Sequence, residues 1–436
     1  MATAQTWNNC LEYVALSDVG MRRANNQDAH AEVLAPDSDQ WFRRGHLFVV
    51  CDGMGAHAAG ELASEMAAEG IPHMYLKYRD LPVADALRKS IEEVNSQIHA
   101  RGQANLDFQG MGTTASALLL LPQGALAAHV GDSRVYRLRG KCLEQLTFDH
   151  SLVWEMSAAG QLPKNALPGF VPKNIITRSL GPHADVKVDL EGPFPLEAGD
   201  IFLLCSDGLS GQVQDAEIGA LLQCLPPADA AQVMIDLANL RGGPDNSTVT
   251  IISVKTPALT PAAGWQAEPL TLTTETPDAV PPSPRASQAL WIAAGACLAV
   301  AAGLGAFQLT LPASALVVIA LALGLIGLLQ RLSLPKHDVR YLPAGTRLGA
   351  GPHTCTEAEP NDELVSELMS LIEQLRQAAV EEQWAVDWDQ FNAHSLQGKQ
   401  ALQAKDYPLA VRQYATALRF MMNQLRNQQA RLQSGK

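Results

Sequence analysis

Four apolar runs in the first 255 residues each meet an aspartate at a polar, glycine-bearing turn. His46-Leu47-Phe48-Val49-Val50-Cys51 runs into Asp52-Gly53-Met54-Gly55, and Ala127-Ala128-His129-Val130 runs into Gly131-Asp132-Ser133-Arg134. Ile201-Phe202-Leu203-Leu204-Cys205 runs into Ser206-Asp207-Gly208, while Gly242-Gly243-Pro244-Asp245-Asn246-Ser247 leads into Thr248-Val249-Thr250-Ile251-Ile252. Runs this apolar read as buried strands, and an unpaired carboxylate at the edge of an interior is costly. One Asp-Gly pair is an ordinary turn. Its repetition, with Asp28 of Asn25-Asn26-Gln27-Asp28 upstream, instead places the strand ends at one shared edge.

Carboxylates gathered there repel one another and resist ionising unless cations sit between them. Hard oxygen donors of this kind suit Mg²⁺ or Mn²⁺, and a two-metal site is the simplest account. Gly53 can offer a carbonyl oxygen unshielded by a Cβ, and Gly55 lets the chain turn away steeply. Two metals about 3.5 to 4 Å apart, bridged by a water, make a nucleophile for in-line attack on phosphorus at neutral pH. Arg23, shortly before Asp28, is the candidate phosphate donor, because a guanidinium binds two phosphate oxygens at once. An ordinary surface arginine is the alternative for that position.

Composition divides the 436 residues. Residues 10–255 mix β-rich runs with helical stretches and read as one large α/β domain. Residues 256–287 are rich in Pro and Thr and read as an extended linker. From Ala289 to Leu329 no residue is charged, and the break at Gln308-Leu309-Thr310-Leu311-Pro312 suggests two membrane helices of about 17 to 20 residues each. Arg285 on one flank and Arg331, Lys336 and Arg340 on the other place both soluble parts on the cytoplasmic side of the inner membrane, a single kinked span being the alternative. Residues 361–433 form a helical region: Leu364, Leu368, Leu371, Ile372 and Leu375 recur at helical spacing. Gly398, Tyr407, Ala410, Tyr414 and Ala417 match a single tetratricopeptide-like motif, or equally a plain helical hairpin with small residues at the crossing. That region could recruit a protein partner.

The formal net charge of -13 argues against nucleic-acid binding. The seven cysteines form no C-x-x-C pair, which fits a reducing compartment with most of them acting as small buried apolar residues. The N-terminus lacks the basic start and apolar stretch of a secretion signal.

Ser17-Asp18-Val19-Gly20 with Arg23 and Asn26-Gln27-Asp28, then Asp52-Gly53-Met54-Gly55, Gly112-Thr113-Thr114, Gly131-Asp132-Ser133-Arg134, Ser206-Asp207-Gly208 and Asp245-Asn246 occur in one order along the chain. This ordered set closely resembles the bacterial metal-dependent type-2C serine/threonine protein phosphatases, over residues from about 10 to 255. The resemblance implies an α+β fold, a four-layer α-β-β-α sandwich of two antiparallel sheets flanked by helices, to which the composition and spacing of the remaining residues add two transmembrane helices and a small all-α C-terminal region. It implies that Asp52 bridges two core ions, Mn²⁺ or Mg²⁺, that Gly53 binds one through its carbonyl, and that Asp207 and Asp245 complete the other shell. Asp132, with Asp207, matches a weaker third metal position, Asp28 acts through water, and Arg23 binds the substrate phosphate. A mobile flap falls between Asp149-His150-Ser151 and Thr177-Arg178-Ser179-Leu180-Gly181.

The implied activity is dephosphorylation of phosphoserine and phosphothreonine in proteins, opposing protein kinases. Two other readings are a phosphoprotein-binding scaffold, which loss of a metal-binding Asp would favour, and a small-molecule phosphate monoesterase, which an enclosed pocket would favour. The chain departs from the family at Ala56, where many relatives have glycine, and at Met54, where animal members carry a histidine thought to protonate the leaving group. The general acid is therefore open, and His57 has a packing alternative.

Overall fold

The computed structural model describes residues 10–55, 58–160, 175–255, 270–274, 293, 295–300, 302, 314, 317–321, 338–341, 347–349 and 351–434. It divides into two compact units, one of residues up to 270 together with 343 onward, and one of residues 271–342.

The first unit holds two antiparallel sheets. Sheet I runs β1 (Leu11–Asp18), β11 (Ser247–Val254), β10 (Ile201–Cys205), β7 (Arg134–Arg139), β8 (Cys142–Gln145) and β14 (Cys355–Glu357) from edge to edge. Sheet II runs β2 (Asp28–Val33), β3 (His46–Met54), β5 (Ala115–Leu121), β6 (Gly124–Val130) and β9 (Asp189–Phe194), with the short β4 (Gly112–Thr113) on the end of β3. The sheets face each other through a shared core: Phe48, Val50, Leu118 and Leu120 from sheet II meet Val135, Phe202, Leu204, Ile252 and Val254 from sheet I. The alternate residues of sheet I, Leu203, Cys205, Val249 and Ile251, point the other way into a second core. Both faces are therefore buried, which is why these strands are apolar throughout instead of alternating.

Helices complete the four layers. α1 (Ser38–Arg44) leads into β3; α2 (Ala59–Lys77) and α3 (Val83–Ala104) accompany sheet II. α4 (Leu152–Ala158) and the one-turn α5 (Asp207–Ser210) follow, and α6 (Asp215–Cys224) and α7 (Pro227–Leu240) cover sheet I. The sandwich implied by the family resemblance is thus the observed one.

Three C-terminal helices, α8 (Asp362–Glu381), α9 (Trp388–Gln403) and α10 (Tyr407–Ser434), join the second core: Leu368, Ile372, Phe391, Tyr414, Leu418 and Met421 cluster with Val233, Met234 and Leu237 of α7. α9 and α10 make one hairpin whose crossing is set by Gly398, since a Cβ there would lie 2.9 Å from the Tyr414 ring. They pack on the phosphatase-like sandwich, and the tetratricopeptide reading gains no support. The second unit contributes a two-stranded sheet, β12 (Thr271–Thr274) with β13 (Asp338–Tyr341).

The expected pair of transmembrane helices requires correction. Among the described residues, no helix is long and apolar enough to cross a membrane, so membrane anchoring and an inner-membrane location have no spanning helix to rest on. Most of 289–329 lies outside the described residues. An uncharged composition permits a span but does not create one, because a span needs about 20 consecutive apolar residues in one helix. The rest of the expected linker apart from 270–274, and positions 161–174 of the expected flap, also lie outside the described residues.

The cysteine reading is corrected in part. Cys10, Cys51, Cys205 and Cys224 are buried, but Cys142 and Cys355 form a disulfide, with Cα atoms 5.5 Å apart, where β14 pairs with β8.

Candidate active site

Strand register brings the aspartates to one end of the sandwich. Asp28, first in β2, sits directly opposite Asp52 near the end of β3. β5 starts beside the same end of β3, and β6 finishes opposite that start, so Asp132, two residues past β6, lies there as well. In sheet I, Cys205 pairs with Val249, which brings Asp207 just after β10 beside Asp245 just before β11. Two like charges opposite each other on neighbouring strands are unfavourable. The local sequence nevertheless fixes Asp28 and Asp52 in that register.

Each acid is held by a separate device. The Asp52 amide donates to Thr114 Oγ1 at 2.9 Å, and the Asp52 carbonyl accepts from the Thr114 amide at 2.8 Å and from Thr113 Oγ1 at 2.9 Å. Thr114 is fixed in turn by Ser133 Oγ at 2.7 Å, so the Gly112-Thr113-Thr114 and Gly131–Arg134 motifs act together as the seat of Asp52. Gly53 leaves no room for a side chain: a Cβ would lie 2.1 Å from the Gly60 carbonyl oxygen and 2.5 Å from that of Gln27. Ser206 Oγ donates to Asp28 Oδ2 at 2.7 Å and accepts from the Thr248 amide at 2.9 Å, which ties the two sheets together at the site.

Asn246 is a clamp to which the sequence pattern assigned no role. Its Oδ1 accepts from the Gln27 amide at 2.8 Å, while its Nδ2 donates to the carbonyls of Val19 at 2.8 Å and Asn25 at 3.0 Å. It therefore sets the loop that carries Arg23 and leads to Asp28. Arg23 Nη2 pairs with Asp245 Oδ2 at 2.6 Å, so the expected phosphate donor touches one of the expected metal ligands.

Electrostatics set these acids apart from ordinary carboxylates. Burial, reinforced by Asp207 and Asp245, pushes Asp28 up to about 7, against hydrogen bonds from Ser206 and Thr248 that lower it. Burial, then Asp207 and Asp149, pushes Asp132 up to about 8. Asp52 is driven well above the usual range by burial and by Asp28, Asp207, Asp132 and Asp245, and Asp207 is raised by burial and Asp245. Asp207 acts on Asp28, Asp52 and Asp132 alike, and Asp245 acts on Asp28, Asp52 and Asp207, so the carboxylates at this end bear on one another.

Asp28 Oδ1 and Asp132 Oδ1 are buried and have no hydrogen-bond partner. Among the described residues, no three Asp, Glu, His or Cys side chains are close enough to enclose an ion as they stand. Asp245 is engaged by Arg23 and by the Asn246 amide, and Asp28 by Ser206. The donor set still fits hard divalent cations: it is all oxygen, two of its buried atoms lack partners, and its ionisation is opposed by mutual repulsion that a cation relieves.

Flanking networks also escaped sequence reasoning. Arg134 is bidentate to Asp149, with Nε to Oδ1 at 3.1 Å and Nη2 to Oδ2 at 2.8 Å, and its Nη1 reaches Tyr136 Oη at 2.8 Å. His150 accepts from the Gly131 amide at 3.0 Å and contacts Asp189 at 2.9 Å, which holds the turn before Asp132 from behind. The sequence displayed Arg134 and Asp149 but gave no sign that they meet. Met54 is half-buried beside Gly112, whereas Ala56 and His57 lie outside the described residues.

The protein phosphatase 2C family model matches residues 21–239. Protein phosphatase PhpP of Streptococcus pneumoniae is 37% identical over 250 residues, which cover 56% of this chain and 98% of that protein. The serine/threonine phosphatase Stp of Listeria welshimeri is 39% identical over 211 residues, covering 47% of this chain and 83% of that one. The solved serine/threonine phosphatase of S. agalactiae is 38% identical with a TM-score of 0.50, covering 56% of this chain and 100% of its own. The family model takes in Asp28, Asp52, Asp132 and Asp207 of this site, and the chain belongs to the protein phosphatase 2C family: it is a protein-serine/threonine phosphatase.

Proposed function

We propose that the chain hydrolyses phosphoserine and phosphothreonine in proteins at a two-cation centre formed by Asp52, the Gly53 carbonyl, Asp207 and Asp245, with Asp132 serving a third position and Asp28 acting through water. The observation that carries this is the set of carboxylates at one sandwich end, held above the usual carboxylate range by burial and by one another, two of them with unpartnered buried oxygens. When bound, Mn²⁺ or Mg²⁺ supplies Lewis acidity and a water nucleophile at neutral pH.

The protein's own residues do the rest. The Thr114–Ser133 pair holds the Asp52 backbone in place, so this residue at least is positioned before a cation binds. Arg23, already 2.6 Å from Asp245, exchanges that carboxylate for a phosphate oxygen of the substrate and orients the ester. Its half-exposed position leaves it within reach of a phosphorylated side chain on another protein. Met54 cannot transfer a proton, so protonation of the leaving oxygen falls to water. By its chemistry the substrate is the product of a protein kinase.

The scaffold reading is disfavoured because every expected aspartate is present at the site. The test is the rate on a phosphothreonine peptide and on a small phosphate monoester, with Mn²⁺, with Mg²⁺ and with EDTA. Metal-dependent turnover that favours the peptide supports the proposal. Turnover confined to the small ester would convert it to a monoesterase, and phosphopeptide binding without turnover would convert it to a scaffold.

A further inference from the structure

α7 joins the C-terminal helices to the active site. Its outer face carries Asp229 and Asp236, seven positions apart, and α10 presents Arg419 and Arg426 at the same interval. Arg419 pairs with Asp229 and Arg426 with Asp236, two rungs that lock the helices in one register. Arg412, one heptad earlier, donates to the Cys224 carbonyl at 2.9 Å. Asp236 is fully buried and also accepts from Gln232 at 3.1 Å, so its charge depends on Arg426.

The far end of α7 leads directly into the turn that bears Asp245. The Gly243 amide donates to the Ala238 carbonyl at 3.0 Å, and the Gly243 carbonyl accepts from Met21 at 2.9 Å, ahead of Arg23. Asn239 donates to Asp18 Oδ1 at 3.0 Å. Arg241 grips Glu217 of α6 at 2.5 Å and reaches Glu367 of α8 at 3.6 Å. The C-terminal helices therefore hold α7 along its length and again at the residue before the turn. They lie beyond the residues 21–239 that the family model matches.

We propose that α8–α10 brace α7 and thereby fix the Gly242–Asn246 turn, making Arg419 and Arg426 positioning residues for Asp245 and Arg23. Undocking of these helices then loosens the site without removing any of its ligands, which gives the enzyme a regulated state. This inference rests in part on the two-cation function, and the experiment separates the two.

In the full chain, Arg419→Gln/Arg426→Gln is compared with wild type and with Arg419→Lys/Arg426→Lys, by hydrogen exchange and by Mn²⁺ titration. The expected result is exchange about tenfold faster at the amides of Arg241–Asn246, with Phe48–Val50 of β3 unchanged. Mn²⁺ affinity should fall by about threefold, and the lysine variant should restore most of both effects. Faster exchange in α10 with an unchanged turn would overturn the brace, as would no change anywhere, or loss of protection that includes β3. If the wild type binds no Mn²⁺, the two-cation function fails and the exchange result alone decides the brace.

Discussion

Replacing Asn246 by Ala removes three hydrogen bonds at 2.8, 2.8 and 3.0 Å from a residue that is 3% exposed. At about 1 kcal/mol net for each bond, the loss is about 3 kcal/mol of stability. Asn246→Asp keeps the bond from the Gln27 amide but turns a carboxylate towards the carbonyls of Val19 and Asn25, so it should cost at least as much. The lost bonds are also those that set the loop between Val19 and Asp28, so cation affinity should fall by about tenfold as Asp28 and Arg23 lose their fixed place. Urea unfolding gives the first quantity and Mn²⁺ titration at pH 7 the second. A variant within about 1 kcal/mol of wild type would refute the count of bonds. A destabilised variant with undiminished Mn²⁺ affinity would refute the claim that this clamp positions the site.

Other perturbations test separate parts of the structure. Gly208→Ala puts a Cβ 1.8 Å from the Asn246 carbonyl oxygen, so the backbone must shift and stability should drop by about 3 kcal/mol in thermal or urea unfolding. Asp28, raised to about 7, is about half protonated at pH 7 in the cation-free protein, and Asp132, raised to about 8, is mostly protonated, so Mn²⁺ binding should release protons. Calorimetry in two buffers of different ionisation enthalpy detects that release, and equal heats in both would contradict it. Burial lowers His46 to about 4, while its Nδ1 accepts from the Ala35 amide at 2.9 Å. The unfolded chain then binds more protons between pH 4 and 6.5, so stability falls as pH drops through that window, by about 3 kcal/mol in total. His46→Asn, which retains an acceptor, should lose less over the same range, and parallel curves for the two proteins would contradict the assignment.

The site was more legible than the fold. Asp52, Asp132, Asp207 and Asp245 stand out because each ends or begins an apolar run, a pattern readable within a few residues. The sandwich left no such trace, because Leu203 and Phe202 point into different cores and are both apolar, so no alternation marks the strand faces. Pairings between distant residues were equally silent. Arg23 meets Asp245 across 222 positions, Arg419 meets Asp229 across 190, and Cys142 meets Cys355 across 213. The sheet and helix packing creates those neighbours, and nothing local anticipates them. The uncharged stretch from Ala289 to Leu329 differs: composition shows which surroundings a segment tolerates, and among the described residues no helix is long and apolar enough to cross a membrane.

In the proposed function Asp52 is the pivot of a two-cation phosphatase centre. Its most direct test is the Mn²⁺ stoichiometry of the full chain and of Asp52→Asn by calorimetric titration, each read beside turnover of a phosphothreonine peptide. About two ions bound tightly by the wild type, with fewer ions and at least a hundredfold slower turnover in the variant, is the expected result. Equal stoichiometry and equal turnover in the two proteins would contradict it.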